Sequence, residues 1–204
     1  MDNYEISKER ACQFFLRFDQ NQILEAWDLN YDEEFIYTQF LGGSYRVHRT
    51  TGIIEKSENG FQTAEEAGYN EVLSIFDFFC HESEEKRLSG SWAPVNSLKG
   101  RPGTIGVDTD FYKKESKIFD VNHEAFRMAC EALGGKSVPY GDIGYQFHVF
   151  GEMWIILKFY GSDEEFPPQT TILWDENTLQ YLFYETTFYV AGFLLRLITE
   201  KMFS

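Results

Sequence analysis

The stretch Asp163–Asp175, DEEFPPQTTILWD, constrains the fold more than any other part of the chain. Pro167 and Pro168 fix two φ angles and remove two N–H donors, so no central strand can run through them. The pair must end or redirect strand pairing. Thr171–Trp174 then reads as a short strand, with Phe166 anchored inward and Trp174 buried.

The apolar material for a core is aromatic. Among 204 residues there are 20 Phe, 12 Tyr and 4 Trp. Each buried ring removes roughly 150–250 Å² from water. A core of rings needs few aliphatic residues, and the same rings can line a flat apolar pocket. Composition does not separate the two uses. The length suits one domain over residues 1–204, and no repeat, linker or low-complexity segment divides it.

The net charge is −15, from 33 acidic and 18 basic residues, and the basic ones are scattered. Phosphate backbones are repelled by such a surface, so no nucleic-acid binding is expected. The acidity favours solubility or a basic partner. Phe188–Ile198, the longest membrane-like run, is interrupted by Arg196 and is too short to span a bilayer. The charged N-terminus lacks an apolar signal core, and Cys12, Cys80 and Cys130 make no disulfide framework. The chain reads as an acidic cytoplasmic protein.

Helical spacing of Ala11, Phe14, Phe15 and Phe18 predicts an inward-facing helix over 5–19, and Ile23, Leu24 and Trp27 a second over 21–28. The period then changes to two. Residues 34–40 and 44–49 read as a hairpin around Gly42–Gly43, and 53–55 continue the meander. Thr63-Ala-Glu-Glu66 has the capping-box pattern before a central helix carrying Val72, Phe76 and Phe79, which ends near His81. A strand at 92–95, a helix over 122–133 closed by Gly134–Gly135, strands at 144–150 and 153–160, and a helix over 185–202 complete the reading. Residues 88–120 are otherwise hard to read. Helices and antiparallel hairpins are segregated, so the expected class is α+β, with an antiparallel sheet and about four to five helices.

The second half resembles a known family. The matching pieces are Ala132-Leu-Gly-Gly135, the strands through Trp154–Leu157, Asp163-Glu-Glu-Phe-Pro-Pro168, and Ile172-Leu-Trp-Asp175 with its following helix. Val72–Phe79 and Gly90–Ser97 also fit. They look like an uncharacterised domain-of-unknown-function family of anaerobic bacteria and archaea, the family numbered 3786. Some members look as though they are fused to corrinoid-type iron–sulfur domains. The resemblance therefore implies, by association, a role near tetrapyrrole chemistry, with haem or a corrinoid as ligand. This chain lacks the fused domain and its cysteine cluster, and the resemblance brings no catalytic residues with it.

No CxxC, HExxH or helically spaced histidine pair is present, so no metal site is expected, and there is no GxSxG. Cys80 and His81 are adjacent on a helix and point about 100° apart, which is not a nucleophile–base pair. Cys80 is expected in the core and His81 toward solvent. Asp163, Glu164 and Glu165 read as a solvated loop or as general acid/base groups; Glu165, next to Phe166, is the candidate among them. Lys99 and Arg101 flank the glycine-rich loop Gly100–Gly106, which is either an exposed loop or an anion nest for a ligand carboxylate or phosphate. His148 and His48 are surface histidines or axial ligands to a tetrapyrrole metal.

The ligand-binding candidates are therefore Lys99, Arg101, His148, Glu165 and Phe166. Three readings stand: a small-molecule-binding accessory protein, a protein-interaction module docking on a redox or methyl-transfer enzyme, and a carboxylate-based enzyme. No residue set names a reaction, so binding is favoured over catalysis.

Overall fold

The computed structural model describes residues 3–83, 86–103 and 111–204. Helices α1 (Asn3–Phe15) and α2 (Gln20–Trp27) lead into a meander of β1 (Asn30–Tyr31), β2 (Phe35–Phe40), β3 (Gly43–His48), β4 (Ile54–Ser57) and β5 (Glu65–Glu66). Helix α3 (Tyr69–Cys80), β6 (Trp92–Pro94), α4 (Lys113–Val121) and α5 (His123–Ala132) follow. Then come β7 (Lys136–Ser137), β8 (Ile143–Phe150), β9 (Met153–Tyr160), β10 (Gln169–Asp175) and α6 (Tyr184–Met202).

Two antiparallel five-stranded sheets result, ordered β1-β2-β3-β4-β5 and β6-β10-β9-β8-β7. The class is α+β, as the segregation of elements required. The described residues hold six α-helices rather than four to five. The extra one, α4, lies in the stretch that resisted reading. Its Phe119 stacks on Phe126 of α5 at 4.4 Å, and only Asn122 separates the helices. Asn122 serves as the N-cap of α5, accepting from Ala125 N.

The β2–β3 turn is Leu41–Gly42, with φ of 45° and 79°. Positive φ at both positions matches the right-handed twist of the flanking strands, and glycine accepts it without steric cost. Leu41 is held there because its N–H donates to Val149 O (3.1 Å), beside the irregularity in β8. That bond joins the two sheets.

One contiguous core runs from Phe15 to Ile198 between the sheets and helices. Its rings stack in pairs, Phe78 on Phe150 and Phe40 on Phe193. Trp174 is buried, as expected. Cys80 is also buried, which pushes its thiol up to about 12.

Four local expectations are corrected. Phe14 is 51% exposed, because α1 meets α3 through Phe15, which stacks on Phe76 at 4.8 Å. The capping box is not at Thr63: Glu65 and Glu66 form β5 against β4, and five residues later Glu71 Oε2 accepts from Gly68 N (2.7 Å), one half of such a box, since glycine has no side chain to supply the other. His81 is not solvent-facing. Its side chain is 9% exposed, 3.5 Å from Asp77 and edge-on to Phe183. Phe166 is 66% exposed rather than buried. The Asp163 carboxylate accepts from the N–H groups of Glu165 and Phe166, and Asp163 N donates to Phe166 O. That closed turn projects the ring outward, and the prolines bring the chain into β10 at Gln169.

The motif Asp175 has a structural task. Buried at the end of β10, it accepts from Ser89 N, Ser89 Oγ, Gly90 N and Asn177 N. It therefore clasps the turn that starts β6.

Phe166→Ala should change stability by less than about 0.5 kcal/mol, and Phe126→Ala, which empties a fully buried site, should cost about 3–5 kcal/mol. Urea unfolding of both variants checks this, with a single transition expected for each.

Candidate functional site

A buried polar arrangement lies at the junction of the first sheet with α3. Glu71, in the first turn of α3, is 2% exposed. Its Oε1 accepts from Tyr45 Oη on β3 (3.0 Å) and lies 3.4 Å from Lys56 Nζ on β4. Oε2 accepts from Gly68 N. Lys56 Nζ also lies 3.3 Å from Glu65 Oε1, so one ammonium bridges a buried and an exposed carboxylate. A buried carboxylate without such partners would lose several kcal/mol on leaving water.

Gly43 lets this happen. A Cβ there would stand 2.9 Å from the Tyr45 ring and 3.3 Å from its hydroxyl. The tyrosine leans over bare backbone to reach Glu71.

Above these groups opens a groove of about 1020 Å³. Its walls come from the Leu41–Ser44 turn, the loop after β4, the end of α5 at Ala132–Gly134, and Leu197 of α6. Phe40, Tyr45 and Phe193 close the bottom and are themselves buried. The loop wall is latched, with Asn59 accepting from Ser57 Oγ and Thr63 N and donating to Thr63 Oγ1. Three carboxylates, Glu58, Glu65 and Glu71, face one lysine, Lys56.

Burial, the Glu71 charge and the hydrogen bond to it together hold the Tyr45 phenol far above its ordinary value. At neutral pH the hydroxyl is a fixed donor and not a base.

The sequence-derived candidates lie elsewhere. Lys99 is exposed, and its Nζ is 2.8 Å from Glu176 Oε2. Arg101 is exposed, its N–H donating to Leu98 O (3.4 Å). Of their loop, residues 104–106 lie outside the described residues. His148 sits half-buried on β8 with Nε2 2.6 Å from Gly151 O; a carbonyl only accepts, so Nε2 carries the proton. His48, in the other sheet, receives Thr50 N at Nδ1. Glu165 and Phe166 precede β10 and Lys99 pairs beyond its far end, so they are roughly 20 Å apart along the strand. Glu165 and Phe166 therefore stand at the opposite end of β10 from Lys99. Among the described residues no three of His, Cys, Asp and Glu are placed to hold a metal ion, and no helix is long and apolar enough to cross a membrane.

The groove residues Tyr45, Lys56 and Glu71 are in none of the sequence motifs considered. The nearest signal was Gly42–Gly43, read only as a turn. Ala132–Gly134, which carry part of the family resemblance, line the groove.

The Tyr45 proton has a measurable consequence. Its folded pKa is raised above the ordinary 10.0, so the folded chain keeps a proton that the unfolded chain loses above about pH 10. This contribution is full below pH 10 and falls as pH rises. Tyr45→Phe should lose about 1–3 kcal/mol at pH 7, since Glu71 loses a donor, yet decline less steeply than wild type above pH 10. Urea unfolding between about pH 7 and 11 compares the slopes; equal slopes would contradict the assignment. Other buried tyrosines titrate equally in both proteins.

Neither a curated protein nor a solved structure matches the chain. A family model matches residues 19–197, which covers β1 to β10, the groove and most of α6, and the chain belongs to that family, described as Domain of unknown function (DUF3786).

Proposed function

We propose that this protein binds a small molecule in the groove over Glu71 and has no catalytic machinery of its own. The observation that carries the reading is the buried Tyr45–Glu71–Lys56 trio at the base of an open groove of about 1020 Å³. Ligand sites of roughly 300–1,000 Å³ combine apolar walls with a few fixed polar groups, and this groove has both. Leu133, Leu197 and Ala132 supply apolar contact on one side. The lysine and carboxylates supply polar contact on the other.

The charge of the rim selects the ligand. Three carboxylates against one lysine, itself held between two of them, favour a neutral or cationic molecule with an apolar body. Haem or a corrinoid, the class implied by the sequence resemblance, is less favoured. It needs cations for its carboxylates and an axial ligand for its metal, and no histidine is among the groove residues. Lys99 is already paired with Glu176, and His148 Nε2 is already engaged by Gly151 O.

The test is a thermal-shift and ligand-observed NMR screen of small aromatic and aliphatic compounds sorted by charge, with haemin and cobalamin as further arms. At a hundredfold excess over its Kd, a groove ligand should raise Tm by about 5–10 °C. Leu133→Trp, which fills the groove mouth, should abolish the rise. Binding confined to neutral and cationic compounds supports the proposal. Hits unaffected by Leu133→Trp, a saturable haemin or cobalamin shift without other hits, or no binding at all would overturn it.

A further inference from the structure

The loop 161–168 joins β9 to β10 beyond their last pair, Tyr160↔Gln169. A hairpin needs only about two to five linking residues, so this loop is longer than turning requires. It is also clamped along its length. Gly161 N donates to Asp142 Oδ2 (2.9 Å). Ser162 gives its N–H (3.0 Å) and its hydroxyl (2.6 Å) to the Asp120 carboxylate near the end of α4. The Asp163 carboxylate holds the amides of Glu165 and Phe166, and Pro167 and Pro168 fix the next two φ angles. A Cβ at Gly161 would stand 3.1 Å from the His123 ring, so the loop lies tight against the start of α5.

These bonds present an outward aromatic ring. Phe166 is 66% exposed and lies outside the core cluster. Glu164 and Glu165 before it are exposed, as are Tyr160 at the end of β9 and Val121 next to Asp120. An exposed ring by itself is ordinary. A ring on a loop whose backbone is already fixed is different, because docking it costs little ordering entropy. Asp120, Asp142 and Asp163 are all engaged in placing a side chain that the core does not use.

We infer that Phe166 is the anchor by which this chain docks on a partner protein, its ring entering an apolar pocket rimmed by lysine or arginine. The ring locates the contact and the two glutamates choose the rim. They attract cations and repel an acidic edge, and the −15 charge of the whole chain acts in the same direction. Nucleic acid and anionic lipid are repelled by both. A small molecule needs a concavity, and a projecting ring offers none. Pro167 and Pro168 have no N–H to offer an added strand, so the side chain and not the backbone carries recognition. Aromatic side chains are enriched at the centres of protein interfaces. No residue of the loop lines the groove over Glu71, and the inference does not rest on a groove ligand.

The probe that stands in for such a pocket is β-cyclodextrin, a sugar ring with an apolar cavity, in neutral, ammonium-rimmed and sulfate-rimmed forms. Amide signals of ¹⁵N-labelled protein report where it binds. The ammonium form should shift the Glu165 and Phe166 signals saturably, roughly three- to tenfold tighter than the neutral form at about 50 mM salt. That advantage should shrink below about twofold at roughly 500 mM salt. Phe166→Ala should abolish the shifts with both forms. Glu164→Lys/Glu165→Lys should keep the neutral form's binding, lose the ammonium advantage and gain one for sulfate. Both variants should unfold thermally as wild type does. Phe14 is an internal control: it is also exposed, but shares its surface with Arg10 and Arg17, and should show no ammonium advantage. An equal advantage at Phe14, equal affinity of the three forms at Phe166, shifts that survive Phe166→Ala, or no shift would overturn the inference.

Discussion

A buried carboxylate at the start of the central helix is the constraint on which the first half of the molecule depends. Glu71 closes the first turn of α3 on Gly68, takes the Tyr45 hydroxyl from β3 and pairs with Lys56 from β4. Three elements distant in sequence are tied to one side chain. An ion taken out of water without such partners would cost several kcal/mol, so the three contacts are obligatory rather than ornamental. The groove opens above them. A second tie, Leu41 N to Val149 O, sets the same hairpin against the other sheet. The left-handed backbone at Leu41 persists because this bond and the burial of its side chain hold it there.

The aromatic richness finds its main use in the core. Stacked pairs link α1 to α3, α3 to β8, α4 to α5 and β2 to α6. Rings fill the space between helices and sheets with large rigid bodies, each pair adding about 0.5–1.5 kcal/mol beyond area burial. The rings at the base of the groove belong to this core and are themselves buried.

Elements with a clear period were legible in the sequence. The hairpins, α3, α5 and α6 follow from alternation, helical stripes and glycine stops. Position within a face was harder. Phe14 and Phe15 are adjacent apolar residues on one helix, and only packing against α3 decides which turns inward. Thr63–Glu66 and Gly68–Glu71 both end in a glutamate three residues on, and the pairing of Glu65–Glu66 with β4 decides between them. Phe166 looked like an anchor because prolines follow it, yet the Asp163 carboxylate organises the turn the other way. The groove was invisible because its polar residues stand on three elements and show only ordinary strand and helix-start signals. Lys99, Arg101, His148, Glu165 and Phe166 stood out one by one, and nothing in linear order reports that His148 sits inside β8 while Glu165 and Phe166 precede β10 and Lys99 pairs beyond its other end.

The tie between Tyr45 and Glu71 can be measured directly by a double-mutant cycle. Urea unfolding at pH 7 of Tyr45→Phe, Glu71→Gln and the double variant isolates their interaction from the separate losses of each. If Glu71 holds β3 to α3 through this hydroxyl, the coupling should be about 1 kcal/mol or more. Additive losses, with a coupling below about 0.3–0.5 kcal/mol, would contradict the account.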